Sequence, residues 1–167
     1  MQKMMITTVV GSVTPGVIKA LADTTRAAGG EWLTSKVIKL DSQFAALLKV
    51  AIAADAVPEL QQAFAVKFPL LQFSYSDQAQ SSSQHMRILK CNVDCRDRPG
   101  LTREIVDLLS NLNLEIEHME FNRVHVSTIG QTVFSSQLAI IVPDEVSDAS
   151  VVELLEGVSK DARVSLG

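Results

Sequence analysis

The chain has 167 residues, 47% hydrophobic and 20% charged, with a formal net charge of −4. That is enough apolar material for a buried core and too little charge for a disordered chain. No Lys/Arg block offsets the acidic balance, so direct nucleic-acid binding, which draws on clustered cations, is disfavoured. Aromatic residues make up only 5%, so the core must be built mainly from Val, Leu, Ile and Ala.

In chain order, residues 4–10 read as a strand, and their apolar run is too short for a signal peptide or a membrane span. A cytoplasmic protein is the resulting expectation. Residues 15–28 read as a helix with Pro15 at its first position, apolar Val17, Ile18, Leu21 and Ala28 at helical spacing, and Gly29 ending it. Residues 33–40 and 44–52 read as two strands around an Asp41-Ser42 turn. A second helix over 58–67 carries Leu60 and Phe64, with Phe68 just beyond, and a last strand covers 70–75, where Leu71, Phe73 and Tyr75 alternate with polar residues. Residues 77–84 are polar, Ser-rich and without periodicity, which predicts a flexible linker.

The same order then recurs. Residues 87–95 alternate as a strand, with Leu89, Cys91, Val93 and Cys95 on one face. A helix is predicted over 99–112 and strands over 114–124 and 133–142, with Gly130 in the turn between them. A helix over 151–160 carries a capping-box signature at Ser150 and Glu153, and a strand over 162–166 ends the chain. Sliding the sequence by 84 positions lays Pro15-Gly16 on Pro99-Gly100, Leu21 on Ile105 and Gly29 on Asn113. Past the second strand the offset becomes 90 and Phe44 meets Phe134, so the second copy holds six extra residues.

The expected fold is therefore α+β: two tandem ferredoxin-like βαββαβ units, residues 1–76 and 85–167. Each is an antiparallel four-stranded sheet with two helices on one face. The uncovered sheet face should be polar where it meets water. Ser135 and Gln137 fit that rule in the second copy. In the first, residues 44–52 are apolar on both faces apart from Lys49, and Met4, Ile6 and Val10 add to them. That face calls for a partner, either the second unit or another chain in a homodimer.

Cys91 and Cys95 lack the two-residue spacing of a redox or zinc knuckle and read as buried core thiols. His118 and His125 would need a third ligand to hold a metal and read as exposed polar residues. Residues 122–132, with Arg123 and His125, form either a protein-contact arm or a neutral insertion. No catalytic motif stands out, and no cofactor or metal is expected.

A tandem βαββαβ unit with Asp97-Arg98-Pro99-Gly100-Leu101 between first strand and first helix resembles a pair of ACT domains, as in regulators of the glycine cleavage repressor type. The first copy has Ser12-Val13-Thr14-Pro15-Gly16 where that family commonly shows Asp-Arg-Pro-Gly. The resemblance implies a non-catalytic regulator that binds a small amino acid, with glycine as a candidate, and acts through a partner protein such as a transcription activator. It also admits an interaction module without a ligand, or a regulatory subunit of an amino-acid-metabolising enzyme.

A strand-to-helix loop suits a carboxylate, because unpaired N–H groups and the helix dipole favour an anion there. The candidate ligand-binding residues are Val13, Thr14, Pro15, Gly16 and Val17 in the first copy and Asp97, Arg98, Pro99, Gly100 and Leu101 in the second. Asp97 could accept the ligand's ammonium. The competing reading is that these residues only shape a helix start, with Thr14 as a cap and Asp97 complementing the dipole.

Overall fold

The structure is a computed structural model of the chain that describes residues 1–77 and 85–167. The chain separates into two compact units, Met1–Ser81 and Ser82–Gly167. The first runs β1 (Gln2–Ser12), α1 (Val17–Ala27), β2 (Glu31–Leu40), β3 (Gln43–Ala53), a short 3-10 turn (Ala54–Ala56), α2 (Val57–Lys67) and β4 (Gln72–Asp77). The second runs β5 (Met86–Arg96), α3 (Leu101–Asn111), β6 (Glu115–Val126), β7 (Gln131–Pro143), α4 (Asp148–Glu156) and β8 (Arg163–Leu166). All pairings are antiparallel, in the orders β2-β3-β1-β4 and β6-β7-β5-β8. The α+β βαββαβ fold is thus present once in each unit.

The repeat holds at the level of register. Gly11 lies opposite Phe44 in the first unit, and Cys95 lies opposite Phe134 at the same place in the second. Both second strands carry a β-bulge at the equivalent point, between Trp32 and Thr34 and between Ile116 and His118. A bulge re-aims side chains and bends an edge strand, so its recurrence is a shared structural device.

The helix ends follow the sequence reading. Gly29 and Asn113 are both left-handed, with φ of 83° and 56°. The Gly29 and Gly30 N–H groups donate to the Arg26 and Thr25 carbonyls, and those of Asn113 and Leu114 to the Ser110 and Leu109 carbonyls. Each set is a Schellman motif that satisfies carbonyls the helix leaves unpaired.

The helix starts do not follow it. Helix α1 begins at Val17 and α3 at Leu101, so Pro15 and Pro99 stand outside their helices. Gly16 is the residue before α1, at φ 77° and ψ 4°, and Gly100 stands before α3 at φ 87° and ψ 0°. With the Val17 N–H donating to the Thr14 carbonyl at 3.2 Å, Thr14-Pro15-Gly16-Val17 is a type II turn. Proline presets its second position and glycine supplies the positive φ of its third. In α4 the cap is Ser147, which accepts from the Ser150 N–H, so the capping box expected at Ser150 and Glu153 is not formed. Helix α4 ends at Glu156, and residues 70 and 71 form a turn before β4.

Each unit has its own core. In the first, Met5, Val9, Leu21, Leu48, Leu60 and Phe64 meet between sheet and helices. In the second, Leu89, Val93, Ile105, Leu109, Phe134 and Ile140 do the same, with Cys91 and Cys95 among them as free thiols. Burial pushes both thiols up from their ordinary pKa. Asp77, expected at the start of the linker, is the last residue of β4 and pairs with Lys3 Nζ at 3.0 Å. The rest of that segment, 78–84, lies outside the described residues. No helix among the described residues is long and apolar enough to cross a membrane.

Candidate functional site

In both units the loop after the first strand is strapped to the following hairpin. The Val13 N–H donates to the Ser42 carbonyl at 2.8 Å, and the Asp97 N–H to the Thr132 carbonyl at 2.9 Å. These bonds, and the Val17 N–H within its turn, consume donors that the sequence alone leaves available for an anion. No side-chain cap stands at the start of α1, so Thr14 acts through its carbonyl and not as a cap. Val13, Thr14, Pro15 and Gly16 are exposed, while Val17 is buried in the core. The first loop therefore presents a turn without charge.

The second loop is held by ions. Arg98 reaches Glu104 in the first turn of α3 through both carboxylate oxygens, with Nη1 at 2.9 Å from Oε1, and donates from Nη2 to the Val158 carbonyl at 2.7 Å. One planar guanidinium thus ties the loop to α3 and to the segment after α4, a geometry a lysine could not reproduce. The hydrogen bond to Arg98 lowers the Glu104 pKa, and the same bond raises that of Arg98. The positions matching Arg98 and Glu104 in the first unit are Thr14 and Ala20, so that unit has no counterpart to the pair.

Asp97 is already engaged. Its Oδ1 accepts from Arg123 Nε at 3.1 Å, and Arg123 lies over the Phe121 and Phe134 rings at 5.1 and 5.8 Å. Stacking of this kind, with the carboxylate beside it, helps hold a guanidinium in place. Arg123 and His125 belong to β6 and pair across to Phe134 and Thr132. The extra residues of the second hairpin therefore extend a regular ladder, which ends in a four-residue turn with Gly130 at φ 62°. His118 lies opposite Ala139 on the uncovered sheet face, and the register sends His125 to the other face. No cluster of three or more metal-ligating side chains occurs among the described residues.

Beside the second loop opens a cavity of about 510 Å³ lined by Arg96, Asp97, Arg98, Gln131, Ser159, Lys160 and Asp161. Of the expected residues it gathers Asp97 and Arg98. Pro99 and Gly100 form the exposed turn, and Leu101 is fully buried in the core. The sequence reading missed Arg96, Gln131, Ser159, Lys160 and Asp161. Asp161 accepts from the Arg96 N–H at 2.8 Å and from Ser159 Oγ at 2.6 Å, and the Ser159 bond, then the Arg96 bond, lowers its pKa. The side chains of Arg96 and Lys160 form no ion pair with any described residue. A lining of three cations and two carboxylates offers both signs of charge to a small zwitterion.

The first unit has a different cavity, about 340 Å³, lined by Gln61, Ala65, Phe68, Pro69, Leu71, Phe73 and Tyr75. Phe64 and Phe73 stack at 4.8 Å beneath it, and Tyr75 stacks on Phe73 at 6.4 Å. Its lining holds no ionised side chain, so it offers no counter-charge to a zwitterion.

Comparison with known proteins finds a family likeness in the first unit and a fold likeness over the whole chain. Residues 3–67 match the family model described as ACT domain. A structure of an unknown protein from Galdieria sulphuraria superposes with a TM-score of 0.86 at 19% identity, covering 99% of this chain and 98% of that one. A candidate glycine cleavage system transcriptional repressor superposes with a TM-score of 0.74 at 13% identity, covering 100% and 97%. At these identities the superpositions establish the fold. No curated protein matches the chain in sequence.

Proposed function

We propose that this tandem ACT protein is a regulator that senses a small amino acid in its second unit and passes the response to a partner protein, without catalysing a reaction itself. The observation that carries the reading is the mixed-charge cavity beside the Arg98-bracketed loop. Its volume falls in the range of small-molecule sites. In this reading the ligand's carboxylate meets Arg96 and Lys160, and its ammonium meets Asp161 or the second oxygen of Asp97. A ligand bound there would touch the loop that Arg98 ties to α3 and to Val158, which gives binding a route to both helices.

Regulation of transcription through an activator, with glycine as the ligand, is the finer form of the proposal. It rests on likeness to the candidate repressor, and the net charge of −4 favours contact with a protein over contact with DNA. A second reading is an interaction module without a ligand. It is favoured by the internal pairing of Asp97 with Arg123 and of Arg98 with Glu104.

Isothermal titration calorimetry of the full chain with glycine, serine, alanine and other small amino acids separates the two. The sensor reading predicts saturable heat for at least one of them, lost in Lys160→Ala. No heat from any, with the protein folded by circular dichroism, would leave the interaction module as the function.

A further inference from the structure

We infer that the uncovered face of the first unit's sheet is a self-association surface that packs against the same face of a second copy of this chain. The register puts Met4, Ile6 and Val10 of β1, Ile38 of β2, and Ala45 and Leu47 of β3 on that face, opposite to the side on which the helices lie. Met4, Ile38 and Leu47 are about half exposed. Exposed apolar side chains scattered singly need no explanation, but Val10, Ala45 and Ile38 are direct neighbours across three strands, and Leu47 follows Ala45 along β3 between Thr8 and Lys36.

The second unit supplies an internal control. At the positions equivalent to Ile6, Val10, Ala45 and Leu47 it has Lys90, Asp94, Ser135 and Gln137, on the same face of the same fold. The sheet therefore does not need apolar residues there in order to form. At those four positions one copy is polar, as water requires, and the other apolar, while Ile88, 55% exposed, stands at Met4's place in the second copy.

Geometry favours a second copy as that partner. Three strands of ten or eleven residues and one of six span roughly 600 Å² at the usual strand rise and spacing. Two such faces bury roughly 1,200 Å² together, the lower bound of stable specific interfaces. Large side chains (Ile38, Leu47, Ile6, Met4) stand beside small ones (Ala45, Ala51), so one surface offers both the projections and the hollows that an isologous contact needs. Twisted sheets pack face to face with their strands nearly aligned. Lys49 on β3, opposite Ile6, and Lys36 on β2, opposite Leu47, are charged side chains of the face, and a long lysine stem can lie along apolar neighbours with the ammonium at the rim.

Sedimentation equilibrium of the full chain tests this. The wild type should be a dimer at micromolar concentration. The double variant Ile6→Lys, Leu47→Gln, which writes the second unit's residues into the first, should weaken dimerisation at least ~100-fold with unchanged circular dichroism. A wild type that stays monomeric to ~100 μM, or a folded variant that stays dimeric, overturns the proposal. A second measurement does not depend on the variant's stability. Leu47→Cys should yield covalent dimers with a short bismaleimide, whereas Gln137→Cys should not, and equal yields would also overturn it.

Discussion

Replacing Gly16 with Ala tests the turn that feeds the first helix. Gly16 sits at φ 77°, and a Cβ built there meets nothing within 4 Å. The penalty is therefore conformational, with no clash to add to it. A left-handed Ala costs about 1–2 kcal/mol, and the stiffer unfolded chain returns about 0.4–1 kcal/mol of that. The net loss is about 1 kcal/mol. With a urea slope of about 1 kcal/mol/M for so small a unit, the midpoint should fall by roughly 1 M. Trp32 is the only tryptophan and Tyr75 the only tyrosine, so intrinsic fluorescence reports the first unit alone. Trp32 is a suitable probe because it is partly buried, with Nε1 donating to Thr25 Oγ1 at 3.0 Å. Gly16→Asn should lose less than half as much, since Asn tolerates the left-handed region. A Gly16→Ala protein as stable as wild type, or an Asn variant as damaged as the Ala one, would refute the type II turn.

The two cysteines report the other unit. Cys91 and Cys95 are buried, with thiol pKa values pushed up by burial, so neither should react with a thiol reagent at pH 7 until the second unit opens, and rapid labelling of the native protein would contradict that placement. The Glu104 carboxyl is held below its ordinary pKa by Arg98, so its stabilising contribution is complete above the unfolded value and disappears as pH falls through the folded one. Glu104→Gln should therefore reduce the acid sensitivity of the second unit, read from the amide NMR signals of its core strands as the pH is lowered, and an unchanged acid profile would count against the bracket. Thr7 is fully buried in the first core, and its hydroxyl has no hydrogen-bond partner among the described residues. Thr7→Val should raise stability by about 1 kcal/mol, the cost of an unsatisfied hydroxyl, and a loss of that size in urea titration would mean that the hydroxyl is satisfied in solution.

What the amino-acid sequence revealed depended on how local each signal was. Gly29 and Asn113 announced the helix ends because few other residues adopt a left-handed cap, and alternation in 89–95 announced a strand with its faces already assigned. The starts of α1 and α3 were misplaced by two residues because Pro-Gly fits a helix's first turn and a type II turn equally well until φ of the glycine is known. Ser147 and Ser150 both satisfied the rules for a cap, and only geometry chose between them. The charge network was not legible at all. Arg98 reaches a carbonyl 60 positions away, Arg123 a carboxylate 26 positions away, and the cavity draws on the α4–β8 segment, which carries no motif. The contrast between the two uncovered faces was legible because a period-two pattern assigns faces directly.

In the function proposed above, the two copies of one unit divide the work, with ligand-type chemistry in the second and packing in the first. Backbone NMR of the full chain, titrated with the small amino acid giving the largest calorimetric heat, tests this division of labour. Shifts confined to residues 96–101 and 158–161, with 13–17 unmoved, are the predicted result. Shifts centred on 13–17, or none at saturating amino acid, would contradict it.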